Sequence, residues 1–168
     1  MRNRSKVLVC LVLIFALTLS GCASLIPDNM DAQVLTFDDL TISMPVYFED
    51  MSVYDDAIPT SGFFIYSYSE IILTGLRDDK TLFDEVPSLE EYAKQLIANS
   101  EVEAEVQVID GLTTFTYYQL KNNQSYTCFA AVFEGTDSFW LVTGSCQTMN
   151  FKYAQEKFID IFSSIQVA

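Results

Sequence analysis

The chain of 168 residues contains no histidine. That absence excludes Ser-His-Asp and Cys-His catalysis, and with them every His-ligated zinc, iron or copper site. Cations are scarce as well: nine Lys and Arg face 23 Asp and Glu, for a net charge of −14. Nucleic acid is held mainly by Lys and Arg clusters on phosphates, so it is excluded as a partner. No repeat and no low-complexity tract interrupts the sequence.

What is present begins at the N-terminus. Arg2, Arg4 and Lys6 precede an almost unbroken apolar run over residues 7–17, the order of an export signal. The run is shorter than the ~20 apolar residues that a membrane-spanning helix needs. It leads into Leu19-Ser20-Gly21-Cys22, which resembles the lipobox of bacterial lipoproteins: an aliphatic residue, two small residues, then the cysteine that is acylated. The resemblance implies removal of residues 1–21 and a diacylglyceryl group on Cys22, anchoring the protein at the outer face of the cytoplasmic membrane. Two acyl chains give stable anchoring where one is marginal. The residues also allow an ordinary signal peptide cut near Ala23, with Cys22 incidental. Cys10 leaves with the signal in either case.

Three cations leave with it, so the net charge of the remaining 147 residues is −17, and Arg77 is their only arginine. Such a surface repels anionic headgroups, and the folded part is expected to stand off the bilayer. Residues 22–32, with Pro27, Asp28, Asn29 and Asp31, read as the lipidated cysteine and its linker.

Residues 33–168 read as one α+β domain, with apolar content and 13 Phe and 9 Tyr ample for one core. Residues 34–37 and 40–44 predict a hairpin turned by Asp38-Asp39 and stopped at Pro45. Residues 62–69 predict a strand; residues 46–61 and 71–86 read as irregular, with Asp78-Asp79 in a turn. Ser88-Leu89-Glu90-Glu91 is a capping box, and Leu89, Tyr92, Ala93, Leu96 and Ile97 share one helical face. Asp110-Gly111, Asn122-Asn123 and Gly135-Thr136-Asp137 then join four strands into an antiparallel meander. Phe151, Ala154, Phe158, Ile161, Phe162 and Ile165 predict an amphipathic closing helix. The expected architecture is an antiparallel sheet, hairpin plus four-strand meander, packed with two main helices.

This order of elements resembles the PsbP/Mog1/DcrB-like sandwich. The matching pieces are residues 37–45, the helix around Leu89-Glu90-Glu91-Tyr92, the meander, and the ending at residues 158–165. Members often place a tryptophan after the proline of the first hairpin, where this chain has Tyr47-Phe48. The resemblance implies a fold and carries no active site.

Few groups are left to carry chemistry. Cys128 and Cys146 lie on adjacent predicted strands of an exported protein, where disulfides persist. They can oppose one another only if Glu134 opposes Trp140; otherwise the sulfurs face opposite sides. The residues leave open a disulfide and two buried free thiols. The acidic clusters Asp55-Asp56, Asp78-Asp79, Asp84-Glu85 and Glu101/Glu103/Glu105 match no calcium loop and suit a solvated surface. Lys94 and Lys121 are the lysines weighed for a Ser-Lys pair, and both suit solvated positions. Tyr47, Phe48, Tyr117 and Tyr118 are candidate contact aromatics, because neighbours such as Tyr117 and Tyr118 point to opposite faces of a strand.

The expected function is a non-enzymatic, lipid-anchored module that binds a protein or other envelope partner through a sheet edge, the aromatics or the 71–86 segment. A small-ligand or calcium receptor is the alternative from a second class. An enzyme built on carboxylates or lysine is the third. No motif calls for a cofactor.

Overall fold

Residues that tolerate positive φ set where the chain reverses. Asp38 (φ 49°) turns β1 (Ala32–Phe37) into β2 (Leu40–Pro45), and Ser69 (φ 54°) turns β4 (Phe63–Tyr68) into β5 (Ile71–Asp79). Between these hairpins lies the two-residue β3 (Glu49–Asp50). Asp110 and Gly111 (φ 50° and 83°) join β6 (Gln107–Ile109) to β7 (Leu112–Lys121); Asn122 and Asn123 (φ 49° and 62°) join β7 to β8 (Gln124–Glu134). Two successive residues of positive φ give the turn whose twist matches that of the flanking strands. A longer connection leads to β9 (Ser138–Gln147). The computed structural model describes residues 31–54 and 61–168. The lipobox, Cys22 and Asp55-Asp56 lie outside the described residues.

All strand pairs among the described residues are antiparallel. Seven strands form one sheet in the order β3-β4-β5-β9-β8-β7-β6, and β1, β2 and the short β10 (Gln166–Val167) form a second. Helix α1 (Leu89–Ser100) packs on one face of the large sheet, through Tyr92, Ala93 and Leu96 against Phe115, Tyr117, Cys128, Ala130 and Phe139. Helix α2 (Phe151–Ser163) and the small sheet cover the other face. There Leu40, Ile42 and Met44 of β2 and Phe158 and Phe162 of α2 meet Phe64, Leu73, Phe129 and Trp140. Fully burying an aromatic of this kind contributes about 1.5–3 kcal/mol, so α2 is held by its apolar stripe. Gly144 of β9 makes the close approach feasible: a Cβ there would lie 2.5–2.8 Å from atoms of the Phe158 ring.

The hairpin, the meander and both helices follow the sequence expectation, capping box included: Glu91 N–H donates to Ser88 Oγ, and Ser88 N–H to the Glu91 carboxylate. The 71–86 segment does not. Its first nine residues are β5, paired to β4 on one side and to β9 on the other. Ile71-Ile72-Leu73-Thr74-Gly75-Leu76 lacks alternation because a strand covered on both faces has no solvent side to mark. Asp78-Asp79 therefore ends a central strand and is not a turn, and Asp78 is buried. Within residues 46–61, the two-residue β3 adds a short edge strand on β4.

Candidate functional site

The candidate contact aromatics separate into core and surface. Phe48 is 2% exposed and Tyr117 5%, so both are core residues. Phe48 packs against Tyr68, and Tyr117 against Phe115 under α1. The contact role expected for these two is corrected: Phe48, in the connection between β2 and β3, is buried in the core that β2 and α2 share with the large sheet, and Tyr117 lies on the face that α1 covers. Tyr47 is partly exposed and leans on Tyr68, with ring centroids 5.3 Å apart. Tyr118 is 68% exposed.

The disulfide is corrected as well. Glu134 opposes Phe139, which places Cys128 opposite Ser145 and Cys146 opposite Thr127. The sulfurs thus point to opposite faces, Cys128 into the core beneath α1 and Cys146 into the core beneath α2, and both thiols are free. Burial pushes Cys128 up to about 12; burial, with a smaller contribution from the Glu70 carboxylate, pushes Cys146 up to about 11. Neither is a thiolate nucleophile at neutral pH.

Chemistry-bearing groups do converge at one place, the turn between β1 and β2. Asp39 accepts from Ser138 Oγ at 2.5 Å, Trp140 Nε1 at 2.8 Å and Arg77 Nε at 3.2 Å. Arg77 also pairs with Asp79, and Ala168 N–H donates to the Asp39 carbonyl at 2.9 Å. Beside it, Lys80 donates to Glu134 at 2.8 Å and to the Gly135 carbonyl at 2.7 Å. Burial drives the Asp39 carboxyl upward, but the bonds from Ser138, Trp140, its own backbone and Arg77 outweigh it and hold the group below the ordinary aspartate value. A general base works best with a pKa near the ambient pH. A low-pKa carboxylate engaged by three donors is a clasp that fixes the small sheet to the large one.

Asp78 and Tyr92 form a second perturbed pair. Burial raises the Asp78 carboxyl, the Tyr92 hydroxyl donating at 2.9 Å opposes the rise, and Asp79 adds to it. Tyr92 stacks on Phe139 with centroids 4.5 Å apart, so this pair seats α1 on the sheet. Among the described residues no three acidic or cysteine side chains gather as a cation site, and no helix is long and apolar enough to cross a membrane.

The open edge of β7 is the remaining feature. Strand β6 pairs with Leu112, Thr113 and Thr114 only, and among the described residues no strand pairs beyond Thr114 on that side. Ile109 and Leu112 close a two-residue turn, so even-numbered residues of β7 direct their N–H and C=O toward β6. The same parity carries Thr116, Tyr118 and Leu120 onto the open edge. Tyr118 and Leu120, 68% and 76% exposed, stand side by side on one face of it. Residues 101–106 border the other face: Val102, Ala104 and Val106 pack into the cluster of Phe115 and Tyr117, while Glu101, Glu103 and Glu105 face solvent. Sequence reasoning singled out Tyr118 and the three glutamates but missed Leu120 and Thr116. The available signal was the unequal length of the hairpin's two arms.

No protein-family model and no curated protein sequence matches the chain. Solved structures do. A Mog1 mutant superposes with a TM-score of 0.55 at 13% identity, over 82% of this chain and 96% of that one. The cyanobacterial PsbP of Synechocystis sp. PCC 6803 gives 0.52 at 16% identity, over 89% and 99%. A protein of Bacteroides thetaiotaomicron VPI-5482 gives 0.51 at 9% identity, over 77% of this chain and 45% of that chain, so the present chain spans less than half of that protein's length. Such identities speak to fold alone. With two helices on antiparallel sheets in this order, the chain has the α+β sandwich fold of PsbP and Mog1.

Proposed function

We propose that the protein is an exported lipoprotein, tethered through Cys22 to the outer face of a bacterial cytoplasmic membrane, that binds a protein partner and catalyses no reaction. The charged start, the apolar run and Leu19-Ser20-Gly21-Cys22 support export and lipidation. The non-enzymatic part of the proposal draws support from the carboxylate chemistry. The groups that converge, around Asp39 and Asp78, are engaged by donors that tie layers of the fold together.

The observation that carries the binding proposal is the open edge of β7. Natural edge strands are commonly protected by lysine, proline, a bulge or a covering segment. From Phe115 to Leu120 the edge has no charge, proline or glycine, and two large apolar side chains stand exposed on it. Exposed apolar groups beside unpaired backbone donors and acceptors suit strand addition by a partner.

The test is photocrosslinking in cells from a benzophenone amino acid at position 118, compared with the same group at exposed position 153 on α2. A specific adduct from 118 alone is the expected result. Adducts that are identical from both positions, or absent from both, refute the edge as a binding surface. Cys22→Ala, followed by fractionation, reads the anchoring half separately: the variant is expected to leave the membrane fraction, and retention there refutes lipidation at Cys22.

A further inference from the structure

We infer that the β7 edge takes an extended, cationic segment of a partner protein, added as an eighth strand of the large sheet. The inference rests on the binding role proposed for that edge and specifies the chemistry of its occupant.

Backbone geometry sets the length. Thr116, Tyr118 and Leu120 offer three N–H donors and three C=O acceptors along five residues, about 14 Å at ~3.4 Å per residue. A segment of about five residues in strand conformation satisfies them. Its side chains alternate between the two faces, and directly opposite residues share a face. On the face of Tyr118 and Leu120 the partner gains by presenting β-branched or aromatic residues, as cross-strand apolar pairs do.

Charge sets the sign. On the side of Phe115 and Tyr117, the segment that leads into β6 packs Val102, Ala104 and Val106 against their cluster and exposes Glu101, Glu103 and Glu105, spaced at every second residue like the side chains of a strand. Around it the chain carries −14, or −17 without residues 1–21. A partner strand with Lys or Arg at alternate positions meets this row with opposite charge, and the surrounding field speeds its arrival. Charge also decides against the other occupant of an open edge, a second copy of this chain. Edge-to-edge pairing would join two bodies of strong like charge and bring a second acidic row to the same seam, and like charges placed opposite are destabilising.

The experiment uses the full-length lipoprotein in neutral detergent micelles and three labelled heptapeptides: alternating Lys-Val, alternating Glu-Val, and Lys-Val with a central proline. Fluorescence anisotropy is expected to detect only the first, with affinity falling at least about tenfold between 50 mM and 500 mM salt as exposed charges are screened. Amide exchange at Thr116, Tyr118 and Leu120 is expected to slow at least about tenfold when the peptide binds. Leu120→Pro removes one edge donor. Because a proline also perturbs the strand itself, Glu103→Lys/Glu105→Lys is the second probe: both positions are exposed, and affinity is expected to drop about tenfold or more with unfolding unchanged. Three results overturn the inference: equal binding of the proline peptide, protection located away from β7, or affinity indifferent to salt and to the glutamate reversals. Concentration-dependent dimerisation that protects the same amides also overturns it, in favour of a second copy. If position 118 crosslinks a partner in cells while no cationic peptide binds, the inference fails and the binding role stands. If neither occurs, the binding role itself fails.

Discussion

Removing the Asp39 carboxylate tests whether the turn between β1 and β2 is a clasp, because Asp39→Ala deprives three donors at once. Trp140 and Ser138 are fully buried, and an orphaned buried donor costs about 1–3 kcal/mol. The Arg77 pair is about one-fifth exposed on each side and adds less, about 0.2–1 kcal/mol on the scale of surface pairs. The Ser138 hydroxyl can rotate, which lowers the sum, and the expected loss is about 3 kcal/mol out of the ~5–15 typical of a domain. With a urea slope near 2 kcal/mol per molar, the midpoint falls by about 1.5 M. Trp140 is the only tryptophan and donates to Asp39 itself, so its fluorescence reports the transition from the site of the change.

Acid provides an independent check. Asp39 is held below the ordinary value of 3.8 by its donors, against the upward push of burial. A carboxylate lowered on folding contributes stability above its unfolded pKa and loses it as pH falls through the lower folded value. The gap between the native protein and Asp39→Ala is therefore expected to be full at pH 7 and to narrow as pH falls below 3.8, by the part that depends on the charge of the carboxylate. A midpoint shift under about 0.3 M, or a gap undiminished in acid, refutes the clasp.

Two further outcomes follow from the packing. Cys128 and Cys146, as buried thiols pushed up to about 12 and about 11, are expected to resist a thiol-specific disulfide reagent at pH 8 in the folded protein and to react fully in urea. Reductant is expected to leave the unfolding midpoint unchanged, and a midpoint that falls on reduction refutes the free-thiol pair. Gly144→Ala forces a methyl group against the Phe158 ring and is expected to cost about 1–3 kcal/mol by overpacking, measured by urea denaturation; an unchanged midpoint refutes the close approach of α2 to β9.

The layer structure was largely legible from the chain because its signals are local. Asp110-Gly111 and Asn122-Asn123 tolerate positive φ by their own chemistry, and Ser88 with Glu91 caps a helix across three residues. The apolar stripe of α2 repeats within two turns. The absent histidines and the acid excess were legible too, since composition needs no coordinates. The fold of PsbP and Mog1 was readable as an order of elements for the same reason.

What only the tertiary structure decided depends on residues far apart in sequence. A single step of register, set by Glu134 opposing Phe139 in place of Trp140, sends the two thiols to opposite faces, because strand side chains alternate with a period of two. Strand β5 was hidden in the sequence because burial on both faces erases the alternation that marks a strand. Asp39, Arg77, Ser138 and Trp140 have no spacing that announces a network; they meet because α2 and β10 return the chain to β2. The edge of β7 is open for a related reason. Strand β6 stops pairing after three residues, and whether an edge is covered depends on which other segments reach it, which no local pattern in β7 records.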